Sequence, residues 1–278
     1  MKLSELFTNK PTPFFKAPRG VLFNANCNEI LPLIKDDSVD TIFADPPFNL
    51  NKDYGLNVND NMTEENYIKW CDEWITEGCR ILKPGGSFFL YNIPKWNVRL
   101  ASCLEKNKLE FRHWIAISMK CSLPIQNKLY PAHYSMLYYS KGKPKTVNKI
   151  RTPIETCRHC DKPLKDYGGH KDSLHPDGIN LTDVWTDISP VRHSKFKSDH
   201  REANQLSTKI LERVINLSTN PGEVVVDPFG GSGTTFAVCE QLGRHWIGVE
   251  LGDCSAIIDR LTSQTIENHI NSDKVCAK

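Results

Sequence analysis

The chain has 278 residues, of which 39% are hydrophobic and 24% charged, with a net charge of +2. That balance suits a soluble globular protein large enough for one α/β domain or two small ones. No run approaches the roughly 18 apolar residues of a membrane span, and "MKLSELFTNKPTPFFK" lacks a secretory apolar stretch, so a cytoplasmic location with reduced thiols is expected.

In chain order, "VLFNANCNEILPLI" reads as a short strand and then a helix from about Cys27. "SVDTIFAD" is an apolar run, a buried strand, ended by Asp45 and two prolines. Thr63 is a candidate N-cap, with Glu64 and Glu65 in the first turn of a helix whose apolar face carries Tyr67, Trp70, Cys71, Trp74 and Ile75. "KPGG" stops that helix, and "SFFLYN" follows as a strand. A helix over 95–106 leads to the strand "HWIAISM", and "AHYSMLYYSKG" holds one more.

Residues 141–203 then lose periodicity and read as an insertion between a first half, 1–140, and a last half, 204–278. Order returns with a helix in "STKILERVINLS", a compact strand "EVVVD", a glycine turn opening a helix to about Leu242, the strand "RHWIGVE" and a helix from "DCSAIIDRL". Strands alternating with helices on both sides of the insertion predict a doubly wound, mostly parallel, Rossmann-like sheet, which binds ligands at the carboxyl ends of its strands.

The charge is unevenly placed. Residues 141–201 hold 13 Lys and Arg against 8 Asp and Glu, and "KGKPKTVNKIR" has five basic residues and no acid. That run is either a solvated loop or a phosphate-facing surface. "PVRHSKFKSDHR" sets Phe196 between lysines, a pattern suited to phosphate contact with stacking, and makes Arg192, Lys195 and Lys197 candidate DNA contacts. "CRHCDKPLKDYGGHKDSLH" spaces Cys157, Cys160, His170 and His175 as four candidate ligands of a structural zinc, against the alternative of ordinary thiols on a loop.

Two turns carry chemistry. "DPPF", Asp45 to Phe48, is either a rigid strand exit or a site that holds a carboxylate, bare carbonyls and a ring in fixed relation. "VVVDPFGGSGTT" runs strand, glycine turn, helix, and Glu250 ends the next strand 20 residues after Gly230, the spacing at which an acid accepts hydrogen bonds from ribose hydroxyls. No lysine follows the last glycine, so the ligand is adenosine-bearing rather than a bare phosphate chain.

Together the turns resemble the amino-group DNA methyltransferases of the β arrangement, with permuted motif order: a D-P-P-Y/F turn, a recognition region, then F-x-G-x-G. The resemblance covers about 20–140 and 204–262. It implies a methyltransferase sheet, S-adenosyl-L-methionine as cofactor and double-stranded DNA as substrate. Asp227, Phe229, Gly231 and Gly233 would line the cofactor, Glu250 would bind its ribose, and Ser207 and Lys209 of "STK" would lie near its methionine end. Asn26 of "NANC" stands where the family often has aspartate.

Asp45 and the Pro46 carbonyl would each accept an N–H of the target amine, Pro47 would stiffen the turn, and Phe48 would stack on a flipped base. His133 and Tyr134 belong to a strand near that base, or are a half-buried strand pair. Asp45 leans the choice toward adenine, with N4-cytosine as the alternative and an inactive DNA-binding module as the reading of another class. RNA and protein amide methyltransferases more often begin the turn with Asn. A homodimer and a cognate restriction endonuclease are the partners the resemblance suggests.

Overall fold

In the computed structural model the described residues are 2–50, 61–118, 126–127, 129–154, 156–157, 160, 162, 168–169, 173, 175–188 and 205–262. The strands are β1 (Phe15–Lys16), β2 (Gly20–Asn24), β3 (Val39–Ala44), β4 (Leu82–Asn92), β5 (Glu110–Ser118), β6 (His133–Ser140), β7 (Arg151–Thr152), β8 (Ile179–Asn180), β9 (Val184–Trp185), β10 (Val224–Asp227) and β11 (His245–Glu250). The helices are α1 (Cys27–Ile30), α2 (Glu64–Ile81), α3 (Pro94–Lys106), α4 (Thr208–Ser218), α5 (Thr234–Leu242) and α6 (Ser255–Thr262).

Nine strands form one sheet in the order β1-β2-β11-β10-β3-β4-β6-β5-β9, while β7 and β8 pair by themselves. The centre from β2 to β4 is parallel, and β6 runs antiparallel to both β4 and β5. The doubly wound, mostly parallel expectation therefore holds, with an antiparallel flank beside the insertion. Both faces of the sheet are covered, so β3 and β10 are buried at every residue.

Helix α2 shows how the sequence builds these layers. Thr63 accepts a hydrogen bond from the Asn66 N–H at 3.3 Å, and Glu64 and Glu65 sit at the positive end of the helix dipole. Tyr67, Cys71, Trp74, Ile75 and Gly78 repeat at helical spacing and are all buried. Each large apolar side chain on that face contributes about 2–3 kcal/mol by leaving water. At the other end Lys141 Nζ donates to the carbonyls of Cys79 at 3.0 Å and Leu82 at 2.8 Å.

That contact places the start of the basic run. Strand β6 runs against β4, so its end and Lys141 lie at the edge of the sheet opposite the carboxyl ends of β3 and β10. Lys145 pairs there with Glu223 at 3.5 Å, and Asn148 Nδ2 donates to the carbonyls of Asn216 and Thr219. Within "KGKPKTVNKIR", Lys141 and Asn148 thus cap the ends of α2 and α4. Within the insertion, β9 joins the main sheet beside β5.

Candidate active site

Strands β10 and β3 are parallel neighbours, with Val225 opposite Thr41 and Val226 opposite Ile42. The turns that begin at Asp227 and Asp45 therefore leave the sheet side by side at its carboxyl edge.

The glycine turn is fixed by two acids. Asp227 is 2% exposed and accepts from the Phe229 N–H at 2.9 Å and from Thr235 Oγ1 at 2.5 Å. Burial pushes its carboxyl up to about 7, against those two hydrogen bonds, which lower it. Glu250 accepts from the Gly231 N–H at 2.6 Å and the Gly252 N–H at 2.7 Å. Burial raises its carboxyl as well, again opposed by the backbone donors.

Gly231 and Gly233 hold φ of +51° and +75°, the left-handed region that disfavours a side chain. A Cβ on Gly231 would meet only the Phe229 carbonyl at 3.9 Å, so this turn is open on one side. The Phe229 ring packs edge-on against Trp74 at 5.0 Å and beside Trp70 at 5.7 Å, both from α2.

Asn26, expected at the cofactor, caps α1 by accepting from the Asn28 N–H at 3.0 Å. Ser207 is buried at the N-cap of α4. Lys209 pairs with Asp187 at 2.6 Å, and Arg213 grips the same carboxylate through two nitrogens at 2.9 and 2.6 Å. Burial tends to raise Asp187, but Arg213 and Lys209 outweigh it and hold the carboxyl at about 2. This cluster ties the end of β9 to α4.

The Asp45 turn lies under an aromatic roof. Phe48 is 6.1 Å from Tyr91 and 6.0 Å from Tyr134, and the two tyrosine rings are 5.4 Å apart. Burial, and then the Asp45 charge, push both phenols upward, so Asp45 lies electrostatically close to both. Tyr134 thus joins the site, while His133, one residue earlier, is exposed at the strand's start.

Beneath the turn, Tyr67 Oη donates to the Pro47 carbonyl at 2.6 Å and Trp96 Nε1 to the Phe48 carbonyl at 2.6 Å. Among the described residues nothing donates to the Pro46 carbonyl. Asn49, at φ +52°, exchanges two hydrogen bonds with the Met62 backbone, so the chain departs from this turn and returns to it at one point.

The sequence reading missed Tyr67, Tyr91, Trp70, Trp74 and Trp96 as site residues. The apolar spacing that marks them is also that of ordinary core.

Arg192, Lys195, Lys197 and His170 lie outside the described residues. Cys157 and Cys160 form a tight turn, with the Cys160 N–H donating to the Cys157 carbonyl at 3.3 Å. His175 Nδ1 accepts from the Asp177 N–H at 3.2 Å. Among the described residues no three metal-ligating side chains converge. Burial raises the thiols of Cys27, Cys79 and Cys254 to about 12 and those of Cys71 and Cys239 upward, so these five are not thiolates at neutral pH.

A family model described as DNA methylase matches residues 39–256. The chain is 56% identical over 253 residues to the Type II methyltransferase M.BamHI of Bacillus amyloliquefaciens, covering 91% of this chain and 59% of that one. It thus spans somewhat less than two thirds of that relative. It is 29% identical over 244 residues to the DNA adenine methyltransferase YhdJ of Escherichia coli (strain K12), covering 87% and 81%.

Among solved structures, the cytosine-N4-specific PvuII DNA methyltransferase superposes with a TM-score of 0.65 at 19% identity, over 96% of this chain and 95% of that one. The M1.HpyAVI–SAM complex superposes with a TM-score of 0.58 at 22% identity, over 88% and 100%.

Proposed function

The chain belongs to the N6/N4 DNA methylase family, and on that premise we propose that it moves a methyl group from S-adenosyl-L-methionine to the exocyclic amino nitrogen of a base flipped out of double-stranded DNA. The observation that carries this reading is the adjacency of the two turns, an acid-bearing glycine turn and "DPPF" on neighbouring parallel strands.

The glycine turn fits the cofactor. Gly231 is open on one side, and Glu250 retains lone pairs beyond the two that accept backbone N–H groups. Glu250 would hold the ribose, Phe229 and Gly233 would line the turn, and Ser207 and Asn26 flank it. Asp227 acts from beneath by fixing the turn. When bound, the cofactor supplies a methyl group activated on a sulfonium.

The chain's own contribution is at the amine. Its nitrogen is a weak nucleophile because its lone pair is delocalised into the base ring. Asp45 accepts one N–H and the Pro46 carbonyl the other, which localises that lone pair as charge develops. Phe48, with Tyr91 and Tyr134 behind it, offers a face on which an unstacked base rests. Burial favours the protonated thiol at Cys27, Cys71, Cys79, Cys239 and Cys254, and direct transfer to nitrogen needs no thiolate.

Adenine at N6 and cytosine at N4 both present such an amine. Asp45 supports adenine through the resemblance, and YhdJ is an adenine enzyme aligned with 87% of this chain. The second reading, cytosine N4, is prompted by the PvuII enzyme, whose fold matches 96% of it. The two acceptors serve either amine.

We keep three further readings within the same proposal. Residues 141–203 read the target, a cognate endonuclease and a second copy of the chain are partners, and Cys157 with Cys160 is half of a structural zinc site. Metal analysis of the purified chain tests the zinc, and well under one equivalent would remove it.

The deciding experiment incubates the chain with labelled cofactor and mixed-sequence duplex DNA beside Asp45→Ala, then identifies the methylated nucleoside. N6-methyladenine or N4-methylcytosine that vanishes in the variant fixes reaction, base and the role of Asp45. Cofactor binding without DNA product would overturn the DNA reading.

A further inference from the structure

A Pro-Pro turn cannot satisfy its own carbonyls. Pro46 and Pro47 have no N–H, so the stretch from Pro46 to Phe48 carries three acceptors and a single backbone donor. The missing donors must come from elsewhere, and where they come from decides which carbonyl is left for a substrate.

Two of the three are taken from below. Tyr67 on α2 donates to Pro47 and Trp96 on α3 to Phe48, each at 2.6 Å. Both side chains are 1% exposed, and their rings lie 4.5 Å apart. Asn92, fully buried at the end of β4, donates to Tyr67 Oη at 3.1 Å and accepts from the Ile93 N–H at 2.7 Å. With its oxygen accepting from Asn92, the Tyr67 hydroxyl has its one proton directed to Pro47.

We propose that Tyr67, Asn92 and Trp96 are positioning residues that occupy the Pro47 and Phe48 carbonyls so that the Pro46 carbonyl alone faces the target amine. The inference rests on the reading of Asp45 and Pro46 given above. It assigns to two helices and a strand end a selection that the turn cannot make by itself. None of the three residues touches the substrate. Loss of a donor frees a competing carbonyl and lets the turn rotate, which misaligns the Pro46 acceptor.

The test uses the full chain with saturating cofactor and target duplex, and measures the single-turnover rate of methyl transfer well below the melting temperature. Tyr67→Phe and Trp96→Phe are each expected to slow transfer about tenfold, equal to about 1.4 kcal/mol, while Kd for cofactor and DNA stays within twofold. Tyr139→Phe is the control. It breaks a comparable tyrosine hydrogen bond, to Glu105 at 3.2 Å, away from the turn, and should keep the wild-type rate.

Equal rates in Tyr67→Phe, Trp96→Phe and wild type would overturn the proposal, as would a loss confined to binding or an equal loss in Tyr139→Phe. If Tyr67→Phe does not fold, Trp96→Phe decides alone, because its bond is independent. Asp45→Ala separates the two levels. Full activity in that variant refutes the reading of the turn itself, whereas its inactivity beside unaffected Tyr67→Phe and Trp96→Phe refutes only the positioning role.

Discussion

The backbone N–H of Gly231 donates to Glu250 Oε2 at 2.6 Å, joining the glycine turn to the end of the neighbouring strand. The same carboxylate takes the Gly252 N–H on its other oxygen. One side chain thus holds the glycine turn against the end of β11, where the proposed ribose contact would lie.

Glu250→Gln replaces one acceptor oxygen with an N–H₂ that faces a donor. Loss of a hydrogen bond to a charged group costs about 1.5–3 kcal/mol. Cofactor affinity, measured by titration calorimetry without DNA, should fall roughly ten- to hundredfold. Affinity equal to wild type would remove Glu250 from the ribose site.

Asp227 gives the fold a pH dependence of unusual sign. Its carboxyl moves from the ordinary 3.8 to about 7 on burial, so the folded chain holds a proton that the unfolded chain has released. The stability it contributes is complete below pH 3.8 and is lost as pH rises through about 7, on the order of a few kcal/mol. Asp187, held at about 2, acts in the opposite sense at lower pH, and Glu250, also raised by burial, adds to the slope of Asp227 in both wild type and variant. Asp227→Asn keeps an acceptor without the charge, and the Thr235 hydroxyl can turn to suit it. Melting temperatures between pH 4 and 8 should decline less in the variant, and parallel curves would sink the assignment.

Phe48→Ala removes the ring at the front of the roof but leaves Asp45 in place. Stacking of a base on an aromatic ring is worth about 1–3 kcal/mol. Cognate duplex should therefore bind about tenfold or more weakly, with a smaller signal from a fluorescent base at the target position. Undiminished binding and signal would place the base elsewhere.

Arg192, Lys195 and Lys197 test the recognition stretch. Replacing all three with alanine should weaken DNA binding and flatten the slope of log affinity against log salt by about 3, if each neutralises one phosphate. A slope equal to wild type would count against phosphate contact there.

What was legible in the sequence follows from where its signals come from. Proline, glycine and acid at fixed spacing announce a backbone conformation, so Asp45 and Asp227 stood out at once. Strand alternation and the Thr63 cap were equally local. Tyr67, Tyr91 and Trp96 were hidden because a ring that supports a site and a ring that fills a core have the same hydrophobicity and spacing. Only the carbonyls beneath which Tyr67 and Trp96 sit tell them apart. The partners of Lys209 and Lys141 were hidden for another reason. Asp187 and the end of α2 are remote in sequence and leave no pattern near the lysines.

The strand order has a consequence for biosynthesis. Among the described strands β10 and β11 come after all the others in sequence, yet they lie between β2 and β3, two of the earliest. A ribosome that has released residues up to 140 has produced two sheet fragments with a two-strand gap. Each fragment exposes an unpaired parallel edge, of the kind that recruits foreign strands. The gap closes only when Trp246 can pair with Gly20 and Val225 with Thr41. Chains truncated before β10 should therefore be insoluble rather than partly active, and closure of this sheet, which joins segments about 200 residues apart, should be slow.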